Sequence, residues 1–167
     1  DLIRLNQPDI LGTQELVSKS LRCVAGRLEE YGWCGAGRNG GDKGEYTAIF
    51  YRKDKFNLVD SDTFWLSNFP KVPGSRAWFA AFPRICTWCI LEFKEEPGLK
   101  VKVYNTHLDH LSFYARINSA KLIKQHMLKT NQLESIPVIF MGDFNAHPTS
   151  RTLRFLESMP DGREDEI

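Results

Sequence analysis

VKVYNTHLDHLSFYARINSAKLIKQHMLKTNQLESIPVIFMGDFN, residues 101–145, is the stretch on which the fold turns. It opens on a β-rich run, 101–106. In the segment 112–129, Phe113, Ile117, Ala120, Ile123 and Met127 then recur near the helical repeat, with Ser112 available as N-cap. It closes on the apolar run 137–141, of the buried-strand type. Strand, helix and strand predict a sheet with a helix packed on it. Just upstream, 84–93 reads as a strand and Glu95-Glu96-Pro97-Gly98 supplies turn chemistry, so 84–93 and 101–106 form an antiparallel hairpin.

The flanks extend the pattern. Residues 8–14 form a short strand, and 17–31 a helix with Leu21, Val24 and Leu28 at helical spacing. Residues 35–45 hold five glycines and predict a loop. Residues 46–52 are β-rich, and 56–66 read as one or two strands broken near Asp60-Ser61-Asp62. Pro70, Pro73, Gly74 and Pro83 make 67–83 a long irregular excursion, and a short helix over 150–158 follows the last strand. Without a repeat or linker, 1–167 reads as a single layered α/β domain.

Composition agrees. Of 167 residues, 42% are hydrophobic and 12% aromatic, too much large apolar mass for a disordered chain and enough for one core. Lys and Arg number 22 against 21 Asp and Glu, so no whole-molecule field recruits nucleic acid or an acidic membrane, although a local basic groove stays open. The longest apolar runs fall far short of the ~20 residues of a bilayer span, and Asp1-Leu2-Ile3-Arg4 begins no readable signal peptide. The expectation is a soluble protein whose compartment is not legible.

Two motifs match in letters only. Gly35-Ala36-Gly37-Arg38-Asn39-Gly40 spells a dinucleotide fingerprint, but a strand follows where the chemistry needs a helix N-terminus. Cys86 and Cys89 have the spacing of a redox or zinc half-site, yet three residues apart on a strand they project from opposite faces. With Cys23 and Cys34 they read as free thiols, since a domain of this size holds its core without disulfides.

Chemistry gathers at three strand ends, where open α/β sheets place their sites. Gln14-Glu15 follows Ile10-Leu11, Asn105-Thr106-His107 closes the run from Val101, and Gly142-Asp143-Phe144-Asn145 follows Val138 to Met141. Glu15 suits a hard divalent ion that keeps positions for water and phosphate oxygens. Asp143 and Asn145, two apart on an extended segment, point the same way; one accepts a proton or orients water, the other donates to a phosphoryl oxygen. His107 donates to a non-bridging oxygen as charge builds. Phosphate-ester hydrolysis needs these groups together.

In order, these motifs resemble the endonuclease/exonuclease/phosphatase family, the metal-dependent, DNase I-like fold of nucleases, inositol polyphosphate phosphatases, neutral sphingomyelinases and deadenylases. Residues 8–15 resemble its metal-glutamate strand, Pro83-Arg84-Ile85 its phosphate-contacting arginine strand, Asn105-Thr106-His107-Leu108 its histidine motif, and Gly142-Asp143-Phe144-Asn145 its Asp-x-Asn motif. Details after His107, with residues 64–67 and 80–84, look most like generic bacterial and fungal hydrolase members. The resemblance implies a four-layer α/β sandwich, two mixed β-sheets flanked by helices. It also implies Mg²⁺ or Mn²⁺ as cofactor at Glu15, with His107, Asp143 and Asn145 catalytic and Arg84, His107 and Asn145 holding phosphate.

The family also opens on a strand bearing an Asn near the metal and closes on an Asp-His pair whose His is the general base. Neither is found between Asp1 and Ile167. The resemblance therefore implies a sandwich incomplete at its N- and C-termini, with residues 1–167 alone expected to be silent. Asp109-His110 has the right letters in the wrong place; with Tyr46, these residues are read as the substrate rim. The opposing expectation is a non-catalytic binding or scaffold protein of the same fold. The substrate is a phosphate ester, nucleic acid among the candidates, and the oligomeric state is not legible. Phe69, Trp78, Phe79 and Phe82 offer faces for stacking, but their large apolar area favours anchoring the long loop on the core.

Overall fold

Alternating side chains give each long strand two faces, and hydrophobic residues on both faces call for a cover on either side. A computed structural model describes residues 2–131 and 135–158; the closing Asp165-Glu166-Ile167 lies outside them. In chain order the elements are α1 (Leu2–Asn6), β1 (Ile10–Gly12), β2 (Leu16–Val17), α2 (Ser18–Arg27), β3 (Tyr31–Cys34), β4 (Glu45–Tyr46) and β5 (Ile49–Arg52). There follow β6 (Phe56–Trp65), β7 (Ile85–Phe93), β8 (Lys100–His107), α3 (Phe113–Asn131), β9 (Val138–Asp143) and α4 (Arg151–Glu157).

Among the described residues three sheets form, ordered β1-β5-β3, β2-β4 and β6-β7-β8-β9. The first and last pack face to face. Their shared core holds Cys34, Ile49 and Tyr51 from one side and Cys89, Leu91, Val101 and Val103 from the other. Outside the first sheet, Leu21 of α2 packs with Tyr46, Ala48 and Phe50. Outside the second, Ile123 of α3 packs with Phe64, Cys86 and Tyr104. Helix, sheet, sheet and helix make the expected four-layer α/β sandwich. Cys86 and Cys89 fall in different cores, one on each face of β7, as strand geometry requires.

The hairpin β7–β8 is antiparallel and β8–β9 is parallel, so the four-stranded sheet is mixed. The three-stranded sheet is antiparallel throughout its described strands, a departure from the expectation of two mixed sheets. Residues 56–66 form one strand, irregular between Leu58 and Asp60, not two. The helix expected over 17–31 stops at Arg27, because Tyr31–Cys34 is drawn into pairing with Ile49–Arg52. Ser112 caps α3, its hydroxyl accepting the Ala115 N–H at 3.1 Å. Among the described residues, no helix is long and apolar enough to cross a membrane.

Candidate active site

Parallel pairing of β8 with β9 sets His107 opposite Asp143 at the ends of adjacent strands. His107 Nε2 lies 3.9 Å from Asp143 Oδ2. The Asp143 carboxylate also accepts the Asn145 backbone N–H at 2.9 Å, turning the chain back on itself. Asn145 takes φ +46°, a left-handed conformation that Asn tolerates. Its amide donates to Leu108 O at 2.9 Å, which leaves one side-chain N–H for a ligand. Burial and the charge of Arg84 hold the His107 pKa below its ordinary value, against the opposing pull of Asp143, Glu15 and Glu45. The imidazole is therefore a neutral donor at neutral pH.

Arg84 immediately precedes β7 and is 4% exposed. Its Nε lies 3.5 Å from Asp109 Oδ2, and Nη2 lies 2.9 Å from His110 Nδ1. Burial lowers its pKa, and Asp109 opposes that shift. Asp109 itself is fully buried. It accepts N–H groups from Ala81, Leu111 and Ser112 at 2.8–3.0 Å. Burial pushes its pKa up, but these donors and Arg84 outweigh the push and hold it below the ordinary carboxylate value. The placement of Asp109 on a substrate rim is thus corrected: it lies beneath the rim as the counter-ion and anchor of Arg84. His110 is exposed and does stand at the edge.

Glu15 follows β1 in a left-handed conformation, φ +63°, and is exposed. Its neighbour Gln14 donates to Asn105 Oδ1 at 2.8 Å, and the Asn105 amide donates to Thr13 O and Ala48 O at 3.0 and 2.9 Å. Asn105 is fully buried between the sheets. It ties the loop carrying Glu15 to the strand carrying His107. Gly12 permits this close approach, since a Cβ there would meet Asn105 Oδ1 at 2.9 Å. In the sequence Asn105 stands out only as part of the histidine motif, with nothing to mark it as a tie between sheets.

The Endonuclease/Exonuclease/phosphatase family profile matches residues 1–162. This chain belongs to the endonuclease/exonuclease/phosphatase family. It is similar to a solved Bacteroides thetaiotaomicron structure described as mannosyl-6-phosphatase Bt3783, with 38% identity and TM-score 0.90 over 93% of this chain and 58% of that one. A family member from Bacteroides vulgatus shares 35% identity, TM-score 0.87, over 92% of this chain and 58% of its own. The Arabidopsis thaliana carbon catabolite repressor protein 4 homolog 3 is 28% identical over 95% of this chain and 34% of its own length. The chain thus spans little more than half of the solved relatives and about a third of the plant protein.

Within this family member, His107, Asp143, Asn145 and Arg84 stand at neighbouring strand ends on the same rim. Tyr46 is 5% exposed, packed with Leu21 and Phe50, and stands beside the rim as a wall. The pocket it walls is shared with Arg38, Glu45, Arg84 and His107. Nothing in the sequence points to Arg38, which is hidden in a glycine run that imitates another motif. The loop aromatics also depart from expectation. Phe69 and Phe79 are 67% and 89% exposed and do not anchor the loop, whereas Phe82 stacks on His110 and lies against the Arg38 guanidinium. Polar groups anchor it instead, through Ala81 N–H on Asp109 and Ser112 Oγ on Trp78 O at 2.7 Å.

Proposed function

We propose that this protein is a Mg²⁺- or Mn²⁺-dependent phosphoesterase that hydrolyses a phosphodiester or phosphomonoester by in-line attack of an activated water. The observation that carries the reading is the His107–Asp143 register pair beside buried Arg84. Among the described residues no three His, Cys, Asp or Glu side chains converge as a metal cage. A Mg²⁺-like ion takes one or two carboxylates and otherwise water and phosphate oxygens. Glu15, an exposed oxygen donor near enough for its charge to register on His107, is the residue that would hold it. Once bound, the ion would polarise a phosphoryl oxygen.

The chain's own groups supply the rest. Arg84 holds phosphate by charge-assisted bonds. Neutral His107 and the spare N–H of Asn145 donate to non-bridging oxygens as negative charge accumulates. Asp143 orients the attacking water and accepts its proton. The similarity to a protein described as a mannosyl-6-phosphatase supports a phosphomonoester among the substrates.

The test is a divalent-ion titration of the full-length protein with phenyl phosphate and bis(4-nitrophenyl) phosphate. Turnover is expected to need Mg²⁺ or Mn²⁺ and to vanish in chelator. Glu15→Gln is expected to raise the ion concentration for half activity, and Asp143→Asn to cut turnover by ~10²-fold with melting unchanged. Full activity in excess chelator would refute the metal role. Absence of turnover with either ester and either ion, in a correctly folded protein, would favour the binding or scaffold alternative.

A further inference from the structure

Arg38 has no part in the reaction just described, yet it lines the same pocket as Arg84 and His107. Its guanidinium is fixed from two sides. Two terminal nitrogens engage the Glu45 oxygens at 2.7 and 3.2 Å, and its Cζ lies 4.8 Å from the Phe82 ring centroid. The side chain is 15% exposed. The backbone is held as well, Arg38 N donating to Glu45 O and Arg38 O accepting the Trp65 indole N–H at 2.6 Å. A side chain already confined in this way has little freedom left to lose when a ligand arrives. Its charge reaches Arg84, where it adds to burial in lowering the pKa.

Each guanidinium is compensated from behind, Arg38 by Glu45 and Arg84 by Asp109, and each retains donors. A guanidinium carries five N–H groups. Arg38 directs two nitrogens at one carboxylate, while Arg84 engages His110 through Nη2 and turns its buried Nε toward Asp109 Oδ2 at 3.5 Å. Resting on the phosphoesterase reading of this pocket, we infer that Arg38 and Arg84 form a two-arginine clamp on a terminal phosphate, with Arg38 selecting phosphomonoesters over diesters. A monoester offers three non-bridging oxygens and, near neutral pH, a second negative charge. His107 and Asn145 serve one oxygen, Arg84 the next, and Arg38 the third. In a diester the third position is an ester oxygen bearing carbon, a poor acceptor that leaves desolvated Arg38 donors unpaired.

Binding and turnover are measured separately on the purified full-length protein. Calorimetric titration with phenyl phosphate and diphenyl phosphate is run at about pH 8, where the monoester is a dianion. Wild type is expected to bind the monoester at least ~10-fold more tightly, and Arg38→Met to reduce that ratio to ~2 or less. The double variant Arg38→Met/Glu45→Gln repeats the measurement without an unpaired carboxylate, in case the single variant fails to fold. Arg38→Lys, with charge but no fork, should fall between. A wild-type ratio near unity, or a ratio that survives both variants, overturns the clamp. Preferential binding with no turnover of either ester leaves the clamp standing and overturns the phosphoesterase reading. Turnover without the preference does the reverse, and binding of neither ester overturns both.

Discussion

His107 lies among charges of both signs, so its titration reports the electrostatics of the site. Burial and Arg84 place its pKa below the ordinary 6.5. Because the folded value is the lower one, its neutral form contributes stability that is complete above pH 6.5 and lost as pH falls through the folded pKa. Arg84→Met is expected to raise the His107 pKa, followed by NMR on the metal-free protein; an unmoved titration would show that the guanidinium field does not reach the ring. Strand-end positions make His107, Asp143 and Asn145 legible in the sequence alone, and Arg84 is reached only through the family resemblance. Arg38 and the burial of Asp109 are not legible there. One depends on Phe82 arriving from a distant loop, the other on Ala81 N–H closing over it. No local spacing announces either approach. Backbone conformation is equally silent: Glu15 and Asn145 both take positive φ at the site, where such strain characteristically gathers.

Strand ends deliver these groups, and two small features fix the delivery. Gly142 has φ +144° and packs so closely on β8 that a Cβ would overlap the Thr106 carbonyl oxygen. Gly142→Ala is therefore expected to destabilise by more than ~1 kcal/mol and to displace Asp143, seen as a lower Tm together with reduced turnover. Asn105→Ala would strip donors from Thr13 O and Ala48 O and orphan the Gln14 amide, each loss costing about 1–3 kcal/mol where no water replaces it. Its Tm should fall and its metal requirement rise, since the Glu15 loop loses its tie; an unchanged metal titration would detach Asn105 from that role. At this scale the sequence is most informative where turn chemistry and periodicity agree, as in Glu95-Glu96-Pro97-Gly98 between β7 and β8. It misleads over 17–31, where Leu28 keeps helical spacing although it already closes α2. Pairing with β5 decides that boundary, and a pairing partner cannot be read from the segment itself.

Four layers give the described residues three separate apolar cores, and the thiols sort among them. Cys34 and Cys89 lie between the sheets, Cys86 lies under α3, and Cys23 is exposed. Ellman's reagent should therefore label one thiol quickly in the native protein and all four in denaturant; a second fast thiol would contradict the layering. Layer number follows from the resemblance, whereas periodicity alone reaches only a helix packed on a sheet. Asp109 carries a consequence at this scale. One carboxylate orients Arg84 and also ties down a loop whose tips, Phe69 and Phe79, are exposed. Over evolutionary time, or in a laboratory library, residues 67–79 are thus free to diversify toward new leaving groups while the reaction centre keeps its alignment. The anchor separates the part that can innovate from the part that must stay the same.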